Sequence, residues 1–295
     1  MSWLKKGDTV GLIAPSSALG EFDLKPILDM FTQMGLWVVE ATNIKDRYRY
    51  MAGTDKIRAE SFNQIVKNPD IKALFCLRGG AGATRMIDMI DFMTLRENPK
   101  PIIGLSDSTA LQNAAITMAR CPALTGFLPL YDSKNGKIDE TMQRELKDAL
   151  FANKHEIVSG VCLKKGKAEG EIVGGCLSVF SLLCGTKYFP DLTDKILLLE
   201  DVGEKTYKID LMLTQLKQQP NFDKLAGIII GQFSDCVIKD PIDGSVDDCI
   251  DDFICDLNIP VIGDFAYGHI PQRHILPLGV KVKMTSGKPD CSVCW

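Results

Sequence analysis

The chain has 295 residues, with 34 basic residues against 38 acidic and 45% hydrophobic. That suffices for one large or two modest domains and excludes a disordered chain. No basic block suggests a nucleic-acid partner and no apolar run is long enough for a membrane span. The first residues, Met1 to Asp8, lack the apolar core of a signal peptide, so the expected location is the cytoplasm.

In chain order, Thr9 to Ala14 is a buried-type strand that runs into Pro15-Ser16-Ser17. Phe22, Leu24, Ile27, Leu28, Phe31 and Met34 then follow a helical period, and Gly35 ends that helix. Leu36 to Val39 is a second strand, Thr54 or Asp55 caps a helix carrying Ile57, Phe62, Ile65 and Val66, and Ile71 to Leu77 is a third strand. This alternation predicts an α/β fold: an N-terminal parallel sheet with helices on both faces.

The loop after the third strand is Arg78-Gly79-Gly80-Ala81-Gly82-Ala83-Thr84-Arg85. Its glycines let backbone approach a ligand, and strand carboxyl ends are where open parallel sheets bind one. A dinucleotide fingerprint fits poorly, because the G-x-G-x-x-G spacing is absent. Pro101 to Leu105 is the next strand; Ser106 stands at its end, before helix-start residues Asp107, Ser108 and Thr109. A serine on a strand-to-helix turn is presented beyond the sheet, as in a nucleophile elbow, and the next N–H, that of Asp107, supplies half of an oxyanion hole. The alternative is an ordinary N-cap serine.

Lys137 to Phe151 reads as a polar-faced helix. The texture then changes, and the expected division is a nucleophile-bearing domain over 1–152, a linker over 153–168 and a smaller α/β domain over 169–295. His155 reads as an exposed residue at that join. Leu177 to Leu183 is a short helix, and Lys195 to Leu199 is a strand leading into Glu200-Asp201. Tyr207 to Leu216 is a helix and Leu225 to Ile230 a strand. The helix from Val246 to Leu257 has a solvated acidic face of Asp247, Asp248, Asp251 and Asp252. Pro260 to Phe265 is a strand, and Leu276 to Val280 begins a last one. Among ten cysteines, Cys291 and Cys294 form a lone C-x-x-C that reads as a frayed terminal thiol pair.

A serine hydroxyl needs a base, and imidazole suits neutral pH. Of three histidines, His269 follows a strand end in a rigid turn between Gly268 and Pro271, which makes it the candidate base. Glu200, at another strand end, is the candidate carboxylate to hold its tautomer. The nucleophile falls in the first half and its partners in the second, which puts the expected site in a cleft between domains.

These segments, with Gly174-Gly175-Cys176-Leu177-Ser178, Asp210 and Leu276-Pro277-Leu278-Gly279, resemble the L,D-carboxypeptidase family of serine peptidases, whose relatives include microcin C self-immunity peptidases. The resemblance implies a Ser106–Glu200–His269 triad and an oxyanion hole from the N–H groups of Asp107 and Gly80. It also implies no metal or other cofactor, a homodimer, and removal of the terminal D-alanine from a cytoplasmic murein tetrapeptide. Arg78 and Arg85 are candidates to pair with the substrate carboxylate. The chain departs from the family pattern at Ala81, Cys176, Leu211 after Asp210, and Gly126-Phe127-Leu128. The alternatives are an immunity-type amidase cleaving an aminoacyl-nucleotide toxin and a non-catalytic muropeptide-binding module.

Overall fold

In a computed structural model, residues 2–134, 137–238 and 240–295 are described. The chain divides into two compact units. The first runs to Asn153 and takes back Ile275–Pro277; the second comprises Lys154–His274 and Leu278–Trp295.

Near-continuous apolar runs, the mark of strands covered on both faces, build the first sheet except at its exposed edge strand Trp37–Glu40. They are β1 (Thr9–Ile13), β2 (Trp37–Glu40), β3 (Ile71–Cys76), β4 (Ile102–Gly104) and β5 (Ala123–Thr125). Between them lie α1 (Lys25–Gln33), α2 (Asp55–Lys67), α3 (Ala83–Met86), α4 (Phe92–Glu97) and α5 (Ser108–Ala119). The strands are parallel in the order β2-β1-β3-β4-β5. That order reverses direction between β1 and β3, so the loops after those two strands flank the crevice where such sheets take ligands. Thr54 caps α2 by accepting the Ile57 N–H at 3.3 Å. Helix α5 is buried almost all round, and Ala110, Ala114, Ala115 and Ala119 give it the slimness this needs.

The helix expected from Lys137 starts later. Lys137–Ile138 (β7) pairs with Ser133–Lys134 (β6), and Asp139 caps α6 (Glu140–Phe151) by accepting the N–H groups of Thr141 and Met142. A capping carboxylate satisfies the helix's first donors and fixes where it begins.

The second unit is an eight-stranded mixed sheet. Its strands are β8 (Glu156–Val158), β9 (Val161–Lys164), β10 (Gly166–Cys176), β11 (Lys195–Val202), β12 (Gly227–Ser234) and β13 (Val261–Gly263), with β15 (Lys281–Ser286) and β16 (Ser292–Cys294). β10 to β13 run parallel at the centre, and the others pair antiparallel outside them. Helices α7 (Leu177–Ser181), α8 (Thr206–Lys217) and α9 (Val246–Ile254) accompany it. The acidic side chains of α9 are exposed, as expected, and Asp248 forms a capping box with Ser245.

Several sequence expectations are corrected here. Segment 153–168 is not a linker: it holds β8, β9 and the start of β10, which pair within the second sheet. The C-terminus is not frayed. β16 lies between β15 and β8, and Cys291 is buried. Nor is His155 simply exposed: its ring stacks on Trp295 at 4.5 Å, and the two residues exchange backbone hydrogen bonds of 3.1 Å. The strand at Leu276–Leu278 (β14) is not the last. It joins the first sheet beside β5, and two more strands follow it. Among the described residues no helix is long and apolar enough to cross a membrane.

Candidate active site

In the first unit the candidate nucleophile sits where β4 gives way to α5. Ser106 is partly exposed and has φ +67°, a left-handed backbone that only a surrounding structure can impose on a serine. Two glycines make room for the turn. A Cβ on Gly79 would lie 2.7 Å from Ser106 Cβ and 2.9 Å from its Oγ; one on Gly104 would lie 2.3 Å from Ser108 Oγ. Ser108 itself does not cap the helix but donates to the Leu105 carbonyl at 2.9 Å.

The Asp107 side chain also departs from a helix-start role. It makes no cap; instead it accepts the Ala83 N–H at 2.8 Å, tying the glycine loop to the serine turn. Burial pushes the Asp107 carboxyl above its ordinary range. The loop is held on its other side by Ser17. The Ser17 N–H donates to the Gly79 carbonyl at 3.3 Å and the Ala81 N–H donates to Ser17 Oγ at 3.1 Å. A Cβ on Gly80 would fall 2.2 Å from that Oγ. Among the described residues, the N–H groups of Gly80 and Asp107 meet no protein acceptor. The thiol of Cys76, at the end of β3, is fully buried and pushed far up by that burial.

The two arginines of this loop are engaged differently. Arg85 makes a two-pronged pair with Asp55, Nε to Oδ1 at 3.0 Å and Nη2 to Oδ2 at 2.7 Å. That pairing, with Arg58 behind it, holds the Asp55 carboxyl below its usual range. Arg78 is exposed and donates to the Ala18 carbonyl. Of the two, Arg78 has the guanidinium not already matched to a carboxylate.

In the second unit Glu200 and His269 come together. Glu200 is fully buried near the end of β11, two residues before Val202 closes it, and its Oε2 lies 2.8 Å from His269 Nδ1. The same oxygen accepts the His269 backbone N–H at 3.2 Å. Two bonds to one carboxylate oxygen fix both the position of the residue and the orientation of its ring. Gly268 makes this possible: it has φ +126°, and a Cβ there would stand 2.8 Å from Glu200 Oε2. Asp201 does different work. It accepts the Ser178 N–H at 2.6 Å and the Ser178 hydroxyl at 3.1 Å, so it anchors the start of α7. Burial raises its carboxyl, and burial together with Glu200 and Asp201 raises the Cys176 thiol well above the ordinary value.

Reading by strand ends misses Arg58. It is 1% exposed and donates to the carbonyls of Pro15 and Gly82 (2.8 Å) and to the Asp55 carboxylate. The signal is in the sequence. Arg58, Phe62 and Ile65 share the buried face of α2, and a guanidinium on such a face must have partners.

One unit thus carries a strained serine beside a glycine loop, and the other a buried carboxylate holding an imidazole, which is the equipment of a serine hydrolase. Residues 10–126 match the LD-carboxypeptidase N-terminal domain, and residues 169–284 match the LD-carboxypeptidase C-terminal domain. The chain belongs to this peptidase family and is a hydrolase with carboxypeptidase activity. It is 32% identical to a probable murein peptide carboxypeptidase of Bacillus subtilis, with 97% of this chain and 91% of that protein aligned. It is 27% identical to the microcin C7 self-immunity protein MccF of Escherichia coli, over 98% of this chain and 94% of the other. Among solved structures, an MccF-like protein from Bacillus anthracis superposes with a TM-score of 0.88 at 27% identity, covering 99% of this chain and 98% of that one.

Proposed function

We propose that the chain is a cytoplasmic serine carboxypeptidase that releases the C-terminal D-alanine of murein tetrapeptides, through an acyl-enzyme on Ser106. His269 Nε2 takes the proton of Ser106 while Oγ attacks the amide carbonyl. The N–H groups of Asp107 and Gly80 stabilise the oxyanion that forms. His269 then protonates the departing amine of D-alanine. Water, deprotonated by the same imidazole, hydrolyses the ester and restores the serine. Glu200 holds the ring through Nδ1 and stabilises the imidazolium, and Arg78 pairs with the terminal carboxylate of the peptide.

The observation that carries this reading is the Glu200–His269 pair, a fully buried carboxylate 2.8 Å from the ring nitrogen it must hold. The murein peptide substrate is supported by the name of the Bacillus subtilis relative. Ser106→Ala is expected to lower turnover of a murein tetrapeptide by roughly 10³-fold or more, read as D-alanine released. Hydrolysis at the wild-type rate by that variant removes Ser106 from the mechanism.

A second reading, an amidase acting on an aminoacyl-nucleotide, is favoured by the similarity to MccF. Against it stands the placement of two indoles that could receive a base. Trp37 lies exposed on β2, the edge strand of its sheet, and Trp295 stacks on His155. Parallel assays on a murein tetrapeptide and an aminoacyl sulfamoyl adenylate separate the two by their kcat/KM ratio.

A further inference from the structure

Arg58 is an expensive residue to bury. Its guanidinium is fully enclosed, and its Nε–H meets no acceptor among the described residues. An unpaired buried donor beside a buried charge costs stability, so packing alone does not account for its place. What the guanidinium does is join two loops. Nη1 donates to the Pro15 carbonyl, in the loop after β1, and to the Gly82 carbonyl at 2.8 Å, in the glycine loop after β3. Nη2 reaches the Asp55 carboxylate one helical turn back on α2, and Met51 Sδ at 3.3 Å. Gly82 has φ +132°, and a Cβ there would meet Arg58 Nη1 at 3.0 Å, so the loop closes directly onto the guanidinium. One residue further on, the Ala83 N–H is taken by Asp107. The glycine loop is therefore held at consecutive residues by a cation from α2 and a carboxylate from the serine turn.

We propose that Arg58 is a positioning residue of the reaction: by clamping the Pro15 and Gly82 carbonyls it sets the glycine loop so that the Gly80 N–H points at the developing oxyanion. This rests on the serine mechanism proposed above. Peptide donors stabilise an oxyanion only when held to within tenths of an ångström before reaction, and losing one such donor costs about 10²–10³-fold in turnover. A lysine at this position keeps the charge but offers no planar fork to span two carbonyls and a carboxylate at once.

The test is Arg58→Met and Arg58→Lys in the full-length chain, with D-alanine release from a murein tetrapeptide giving kcat and KM, and thermal melts run alongside. We expect kcat to fall about 100-fold in Arg58→Met and about 10-fold in Arg58→Lys, with KM within threefold of wild type and both variants melting cooperatively above the assay temperature. A folded variant of either kind with kcat within twofold of wild type overturns the proposal. So does a change confined to KM. If both variants melt below the assay temperature, Arg58 serves the fold rather than the reaction, and the proposal is equally overturned. Ser106→Ala in the same assay separates the two levels. If it stays active the serine mechanism fails; if it is inactive while Arg58→Lys is fully active, only the role of Arg58 fails.

Discussion

Gly79 carries no side chain because Ser106 occupies the space one would fill, and the same exchange recurs at Gly268 against Glu200. At each position a glycine yields room to a functional group, which makes substitution there a steric test of the site. Gly79→Ala puts a methyl 2.7 Å from Ser106 Cβ, inside any tolerable carbon–carbon contact, with Leu128 Cδ2 at 3.4 Å behind it. The serine turn must move. Displacement on the ångström scale is expected to lower kcat about 100-fold, while overpacking costs about 1–3 kcal/mol of stability. Steady-state kinetics and urea denaturation of the same preparation check both. The candidates Ser106 and Glu200 could be picked out in the sequence because polar residues at or near the ends of apolar strands stand out, and His269 because it lies in a rigid turn beyond one. The carboxylate of Asp107 was not, because a helix-start residue reads as a cap unless the loop it faces is known.

At the scale of elements, the short strands escaped the sequence reading. β8 and β16 are three residues each, too short for alternation to register. The lysines and glycine around β9 and β10 resemble a connector until their partners are seen. What pins the C-terminal strand is the contact between its far end and the first residues of the unit. The Trp295 ring lies at 12° to the His155 ring, centroids 4.5 Å apart. Trp295→Ala keeps the two backbone bonds but loses the stack, worth about 0.5–1.5 kcal/mol beyond the burial of the indole. The expected outcome is a melting midpoint lower by a few degrees with kcat unchanged, measured by calorimetry and the D-alanine assay.

For the molecule as a whole, stability carries a mark of one buried amine. Lys100, just before β4, is fully enclosed and donates through Nζ to the Ile71 carbonyl at 2.7 Å. Burial lowers its pKa to about 8 from 10.5. Above pH 8 the unfolded chain holds a proton there that the folded chain has released, so this group makes stability rise with pH. Buried thiols act oppositely. Cys121 is pushed up to about 12 from 9.0, so it erodes stability once the unfolded thiol ionises. The clean window is pH 8 to 9. Across it, the wild-type denaturation midpoint is expected to gain relative to Lys100→Met, and parallel pH profiles for the two proteins would exclude this assignment. Periodicity made the alternation of the first sheet readable. It could not reveal where Leu276-Pro277-Leu278 goes, since three apolar residues name no partner.

That returning strand bears on how the protein is made. The sheet presenting Ser106 has β14 (Leu276–Leu278) beside β5, and β14 comes after both Glu200 and His269 in the chain. A nascent polypeptide released at residue 153 would leave β5 as an open edge, the kind of surface that recruits a stranger. Until synthesis has passed Leu278, the sheet that presents Ser106 lacks its border, and by then the ribosome has already delivered Glu200 and His269.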